Sequence, residues 1–309
     1  MSKEILLNSS DNYLGVLGIL REALQIFPRN GKIMASIALF SLVSNCLLFL
    51  GSHVLIEPFL LDLVTAMKKD VGVLLLNELI IGVAMWVVFL FSMIATVYAS
   101  AVIYSSEKMT LKELLTHIGR TWRGPAITWF YISLMSLGCT FLVLIMFGLL
   151  TVVYNVMNNF ALTTPALLVV LLVIAINLYF GMVWMVGLVV SVLEDACYGM
   201  EALRKAGKLM VGRKLQGYVV TLVLGLVFIS ISGFLGYATS HTKFSAMGIL
   251  ALNFMSTNII CLWKIYGAMV YTVLYFECKK IHGEEMKVEL GSGHRMFSTV
   301  VPRFTASMV

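Results

Sequence analysis

Glu201-Ala202-Leu203-Arg204-Lys205-Ala206-Gly207-Lys208, followed by Leu209-Met210-Val211-Gly212-Arg213-Lys214 and then a long apolar run, is the stretch that decides the fold. At 100° per residue, Glu201, Arg204, Lys205 and Lys208 share one helical face and oppose Leu203, Gly207 and Met210. The same pattern, an acid with a base seven residues later, occurs twice before, as Glu22 with Arg29 and Glu113 with Arg120. Glu113 follows Glu22 by 91 residues and Glu201 follows Glu113 by 88, and each pair stands just before an apolar run of membrane length. In the first copy Arg21, Glu22, Gln25 and Arg29 oppose Leu17, Leu20, Leu24 and Phe27. In the second, Lys112, Glu113, Thr116 and Arg120 oppose Leu111, Leu115 and Ile118. Three short amphipathic helices, each leading into a span, therefore mark an internal repeat.

Working outward, six apolar stretches can cross a bilayer: about 33–55, 73–104, 125–153, 166–193, 217–238 and 245–276. The composition agrees, with 60% hydrophobic and 12% charged residues among 309, far from a soluble globular mix. The even-numbered stretches read as the longer ones and exceed a ~30 Å hydrocarbon core, so they should tilt or project beyond it. They end in Glu107, Glu194 and Glu277. The expected unit is short helix, span, outer loop, span and acidic stop, at about 10–107, 108–194 and 195–280. The fold class is all-α and polytopic, six transmembrane helices plus three interfacial amphipathic helices in a threefold pseudo-repeat. Residues 1–280 form one transmembrane domain, and 281–309 read as a disordered tail. The first 32 residues hold no apolar core of signal-peptide type, so the first span is expected to act as an uncleaved insertion signal.

Charge chooses the side. The segments before spans one, three and five and after span six carry 18 Lys and Arg, while the opposite loops carry Lys68, Lys69 and Lys243. The positive-inside rule then places both termini and all three short helices in the cytoplasm. There the helices should lie in the interface, apolar face toward acyl chains or the bundle. Gly31, Gly124 and Gly212 stand where each short helix turns into its span.

Candidate chemistry is sparse. Lys264 and Glu78 are the ionisable residues deepest in apolar runs, and an intramembrane charge is a functional candidate by default. A depth difference of ~20 Å along the normal keeps them from pairing. Lys264, between Trp263 and Tyr266, reads as an inner-interface anchor with a snorkelling amine, and Glu78 as a shallow interfacial acid. Asn45, Asn177, Asn253 and Asn258 are expected to hydrogen-bond between helices, with a polar path as the alternative. Gly217, Thr221, Gly225, Gly233 and Gly236 suggest close helix contact along span five, and Gly181 with Gly187 along span four. Arg204, Lys205, Lys208, Arg213 and Lys214 are candidate contacts for anionic lipid head groups, although the positive-inside rule alone also accounts for them. His53 and Glu57 share a helix face and would need Asp62 or His241 to hold a metal, but Pro58 predicts that the helix ends there. Cys197 and Cys278 stand near membrane borders where S-palmitoylation occurs, with plain free thiols as the expected reading. Walker, GxSxG, HExxH and paired-carboxylate motifs are missing, so no catalytic residue, cofactor or metal is expected.

The end of the second unit carries a resemblance. Val190-Ser191-Val192-Leu193-Glu194 with Tyr198-Gly199-Met200-Glu201-Ala202-Leu203-Arg204-Lys205-Ala206-Gly207-Lys208-Leu209 is similar to a family of plant six-span membrane proteins of unassigned function. It distantly resembles the membrane domain attached to bacterial glycerophosphodiester phosphodiesterases, as does Thr272-Val273-Leu274-Tyr275-Phe276-Glu277 with Lys279, Lys280 and Glu284. That bacterial pattern has Asp and Arg where Glu277 and Cys278 stand, and no phosphodiesterase domain accompanies the motif in this sequence. The plant resemblance implies an endomembrane or plasma-membrane protein. The functional expectation is a non-enzymatic integral membrane protein that organises membrane, or binds lipids and partner proteins, through its interfacial helices. The alternative is a transporter or channel for a small or amphiphilic solute. Expected partners are membrane lipids, anionic ones included, and further protein subunits in a homo- or hetero-oligomer; nucleic acid is not expected.

The topology has a direct test. Glycosylation sequons introduced near 62, 160 and 241 should be modified in an ER-inserting system, and sequons near 115 or 205 should stay unmodified. The reverse pattern would invert every assignment of side.

Overall fold

A computed structural model describes residues 14–65, 71–105, 109–157, 163–194, 197–241 and 246–282, with side chains described outside 52–78, 150, 153–167, 240–241 and 246. The described residues form helices and turns. The helices are α1 (Val16–Arg29), α2 (Gly31–Thr65), α3 (Val71–Tyr104), α4 (Leu111–Thr121), α5 (Arg123–Met157), α6 (Thr163–Leu193), α7 (Met200–Leu209), α8 (Lys214–His241) and α9 (Ala246–Ile281). Six of them, α2, α3, α5, α6, α8 and α9, are long and apolar enough to cross a membrane. The three short ones are the amphipathic stretches read from the sequence.

The predicted alternation of span length is not kept. α2 and α5 have 35 residues each, as long as α3 with 34 and α9 with 36. α2 also runs through Pro58 to Thr65, where a helix end was expected. In a long apolar helix a proline costs one hydrogen bond, and local adjustment satisfies the freed carbonyl, so the helix need not stop.

Topology follows from which helices touch. α3, α6 and α9 pack on one another at the centre. α2 lies against α3 and α9, α5 against α6 and α3, and α8 against α9 and α6. α1 rests on α9, α4 on α3, and α7 on α6. The central helices approach closely because their buried stretches are rich in small side chains: Thr96, Ala99 and Ser100 on α3, Ser191 on α6, Ala268 and Thr272 on α9. Among the described residues the core lies toward one end of the bundle, running through 90–103 of α3, 182–193 of α6 and 265–278 of α9. Farther along α5 and α6, Phe141, Leu144, Phe147, Leu168, Leu171 and Ile174 are exposed.

The short helices close around the core end as a collar, and their capping explains the sequence signature. Glu113 stands in the first turn of α4 and Arg120 in its last; Glu201 and Lys208 stand likewise in α7. An acid at the N-terminus and a base at the C-terminus complement the helix dipole, and a helix of 10 or 11 residues spaces them about seven apart. Glu113 also completes a capping box with Thr110, accepting from its backbone N–H at 2.9 Å. In α1, by contrast, Glu22 lies mid-helix and bonds Arg29 directly at 2.6 Å.

Turns into the spans differ from the glycine reading. Gly212, at φ +99°, does make the turn between α7 and α8. α1 turns into α2 at Asn30, and α4 meets α5 at Trp122, whose backbone is helical. Sequence reasoning missed Gly199, the N-cap of α7 at φ +65°. Its N–H donates to the Thr128 hydroxyl of α5 at 2.7 Å, and an added Cβ would stand 3.3 Å from the Tyr131 ring. Gly199→Ala should therefore destabilise the protein by about 1–2 kcal/mol, the left-handed penalty for a residue with a Cβ. Gly207→Ala, in open space inside α7, should stabilise it by ~0.5–1 kcal/mol. Thermal unfolding in detergent checks both signs; equal shifts would refute this account of the α7 start.

Candidate functional site

Two of the three acidic stops sit inside the collar as the hubs of a buried polar network. Glu277, only 2% exposed, accepts from the Leu14 backbone N–H at 3.2 Å and the Tyr104 hydroxyl at 3.5 Å. Its charge partner is Arg213, at 3.7 Å. Arg213 is itself buried and donates to the Gln216 side chain at 2.6 Å and the Leu14 carbonyl at 3.2 Å. One carboxylate thus ties the end of α9 to α3, to the start of α8 and to the chain entering α1. Glu194 does the same for the next junction: Lys205 of α7 donates to it at 2.6 Å, the Tyr275 hydroxyl at 2.9 Å, and Lys279 stands 3.8 Å away. Glu107 falls outside the described residues.

Taking charges out of water is costly, and here the cost is offset by opposite charge and by hydrogen bonds on the remaining lone pairs. Both carboxylates are fully engaged by cations and hydroxyls, which suits holding helices in place. Cys197, beside Glu194, has its thiol pushed up by burial first and by that carboxylate second. That lowers its thiolate fraction at neutral pH and with it its readiness for acylation. Cys278 is fully enclosed against Met210, so it is out of reach as an acylation candidate.

The five basic residues proposed for lipid contact divide accordingly. Arg204, Lys208 and Lys214 are exposed, while Lys205 leans on Glu194 and Arg213 is turned inward to Glu277. Burial decided this: the carboxylates need counter-charges, and the nearest bases supply them. Nothing in a positive-inside count separates inward from outward bases. A tyrosine two or three residues before an acidic stop, as in Tyr104 and Tyr275, was the available signal for the hubs.

Lys264 stands at the middle of α9, exposed, with its ammonium 4.8 Å from the centre of the Phe89 ring of α3. Two residues on, the Tyr266 hydroxyl donates to the Leu20 carbonyl of α1 at 3.2 Å, which sets Lys264 at the level of that short helix. Beside it Ser41 of α2 contacts the Cys261 thiol at 3.1 Å, and the Ser92 hydroxyl of α3 donates to Ser41 at 3.0 Å. A cavity of about 30 Å³ lies between these three helices.

The asparagines part ways as well. Asn45 donates to the Thr257 carbonyl at 3.2 Å, and Asn258 accepts from the Cys46 thiol at 3.4 Å, so both join α2 to α9. Asn177 instead returns to its own helix, donating to the Val173 carbonyl at 2.8 Å on an exposed face. The side chains of Glu78, His53, Glu57, Asp62 and His241 lie outside the described residues. Among the described residues, no group of three or more His, Cys, Asp or Glu could hold a metal ion. The small-residue stripe of α8 makes contact in its first two turns, where Gly217 meets Met182 and Met210 and Thr221 accepts from the Tyr271 hydroxyl of α9 at 3.0 Å; Gly225, Gly233 and Gly236 face open space.

The network has a measurable signature. Glu277→Gln and Arg213→Met should each lower stability by ~3–5 kcal/mol by stranding a buried charge or donor, and the double variant should lose much less than the sum. Additive losses in thermal or SDS unfolding would mean that the two do not act as a pair.

Residues 62–295 match the family model for a domain of unknown function (DUF8558). Comparisons with curated proteins and with solved structures found no match. The match takes in α3 to α9 with the whole Glu194 hub and both Arg213 and Glu277. The six apolar helices suggest a multi-pass membrane protein, and the chain belongs to the DUF8558 family.

Proposed function

We propose that this protein is a non-enzymatic integral membrane protein of three pseudo-repeats, both termini cytoplasmic, whose collar lies in the cytoplasmic interface and there organises membrane or binds lipids and partner proteins. The observation that carries the reading is the split apolar face of the short helices. On α1, Ile19, Ala23 and Ile26 are buried against the bundle, while the adjoining strip of Leu17, Leu24 and Phe27 is exposed, Leu17 by 81%. On α4, Leu114 and Ile118 are buried, and Leu111, Leu115 and Trp122 are exposed. A polar face with Arg21 and Arg29, or with Lys112 and Arg120, follows next around each helix. Protein on one side, lipid on the next and water on the third is what an interfacial helix docked to its own bundle requires. α7 departs from this, spending its apolar side on protein through Ala202, Leu203, Ala206 and Leu209.

The repeat is supported by the neighbour pattern, in which each short helix rests on the central helix of the preceding unit, α9 closing the ring for α1. It is supported also by Ser41, Ile132 and Val220, which correspond at the Glu22–Glu113–Glu201 spacing and are all buried. The exposed bases Arg21, Lys32, Lys112, Arg204, Lys208 and Lys214 gather at the collar end, consistent with a cytoplasmic side that meets anionic lipid. The plant and bacterial likenesses of the Tyr198–Leu209 stretch, and an endomembrane or plasma-membrane location, belong to this proposal too.

Spin labels at Leu24 and Leu115 should be reached by oxygen dissolved in lipid, and labels at Arg21 and Lys112 by an aqueous relaxant. Leu24→Glu combined with Leu115→Glu should then disturb localisation or assembly of the folded protein more than Lys264→Met does. Four labels equally open to the aqueous relaxant would sink the interfacial reading.

A transporter or channel for a small or amphiphilic solute is the second reading. It draws on the polar seam of α2, α3 and α9, where Asn45, Asn258, Ser41, Ser92, Cys261 and Lys264 follow one another toward the collar. Flux of solute or lipid into proteoliposomes would establish it.

A further inference from the structure

We infer that Lys264, with Ser41 and Ser92, forms a binding site for the anionic oxygen headgroup of a membrane amphiphile, a phosphate or a carboxylate, at the α2–α3–α9 seam. This inference rests on the membrane reading above but not on the collar's surface charges.

The first ground is an uncompensated charge. Among the described residues Lys264 has no carboxylate or hydrogen-bond acceptor; its recorded polar contact is the face of Phe89. Lys264 stands on an apolar helix at the level of α1, facing outward, so its ammonium calls for an anionic partner from outside the chain. Among the described residues, Glu22, Glu194 and Glu277 are already held, by Arg29, by Lys205 with Lys279, and by Arg213.

The second ground is asymmetry between quasi-equivalent seams. Carried over at the repeat spacing, the place of Ser41 is taken by Ile132 in the second unit and Val220 in the third. At the spacing of Glu107, Glu194 and Glu277, the places of Cys261 and Lys264 are taken by Phe91 and Ile94 on α3, and by Leu178 and Gly181 on α6. At these positions the other two seams carry apolar or small residues. The α2–α3–α9 seam instead gathers an amine, two hydroxyls and a thiol around a cavity, which helix packing does not require.

The third ground is fit. The Thr96 hydroxyl is committed to the Ser92 carbonyl at 2.7 Å, while Ser92 donates to Ser41 and Ser41 to or from Cys261. Ser41 and its thiol neighbour can turn a proton toward an incoming oxygen. A cavity of about 30 Å³ admits one such oxygen or one bridging water, with the rest of the headgroup at the mouth beside the exposed ammonium. The level is right for a headgroup of the collar-side leaflet, one turn from the Tyr266–Leu20 contact and beside the exposed Leu17–Leu24 strip of α1. The acyl chain would then lie along the apolar helix faces that run from this point away from the collar.

The test is native mass spectrometry of the full chain in detergent, titrated with phosphatidate, phosphatidylcholine, a long-chain fatty acid and inorganic phosphate. Wild type should retain phosphatidate or the fatty acid in preference to phosphatidylcholine. Lys264→Gln should weaken that binding about tenfold, Ser41→Ala by less, and Lys264→Arg should restore most of it. A variant with Arg204, Lys208 and Lys214 all changed to Gln should keep the preference. Inorganic phosphate that competes fully would name the free anion rather than a lipid as ligand and overturn the amphiphile assignment. Equal retention of all lipids by wild type, or a preference that survives Lys264→Gln, overturns the site. A preference lost only in the triple variant overturns it in favour of the collar surface, leaving the interfacial reading standing.

Discussion

The carboxylates of half-buried Glu194 and buried Glu277 hold the collar end together, and the rest of the molecule hangs from them. Each stands where a long apolar helix ends, and each gathers groups from at least two other segments, distant in sequence. Hydrophobic burial alone would not choose among such partners, because lipid chains are as apolar as Leu or Val. Charge-assisted bonds out of water are directional and costly to leave unmade, so they fix which helix end meets which. Among the described residues the core runs outward from these hubs.

This arrangement gives the two ends of the bundle different work. The collar end is packed, charged and covered by short helices, two of which, α1 and α4, carry exposed apolar strips beside their polar faces. Away from it the described stretches of α5 and α6 present exposed apolar side chains, suited to being solvated by acyl chains. Between them lies the seam of Ser41, Ser92, Cys261 and Lys264, the place where polar chemistry departs from what packing demands.

Some of this was legible in the sequence and some was not, for definite reasons. The six long helices and three short ones could be read because apolar length and a 3.6-residue period are local properties. The acid-to-base spacing was legible too, although its cause is the dipole of a short helix for α4 and α7 rather than a pair of charges in contact. The inward turn of Arg213 was hidden, since its partner Glu277 is 64 residues away and a charge count treats every base alike. Asn177 and Asn45 look identical as asparagines in apolar runs, yet one bonds its own helix and the other a neighbour, which rotation about the helix axis decides. The same holds for Pro58, whose effect depends on whether the surroundings can absorb a missing hydrogen bond.

By itself, then, the sequence determined a chain of six long apolar helices and three short amphipathic ones, because hydropathy and periodicity act over a few turns. Tertiary structure alone decided which charges are spent inside the collar and which remain outside, through burial that leaves Glu194 and Glu277 to be matched by Lys205, Lys279 and Arg213. It also brought Ser41, Ser92 and Lys264 from three helices to one cavity. No spacing along the chain encodes that meeting, because it is fixed by how α2, α3 and α9 pack.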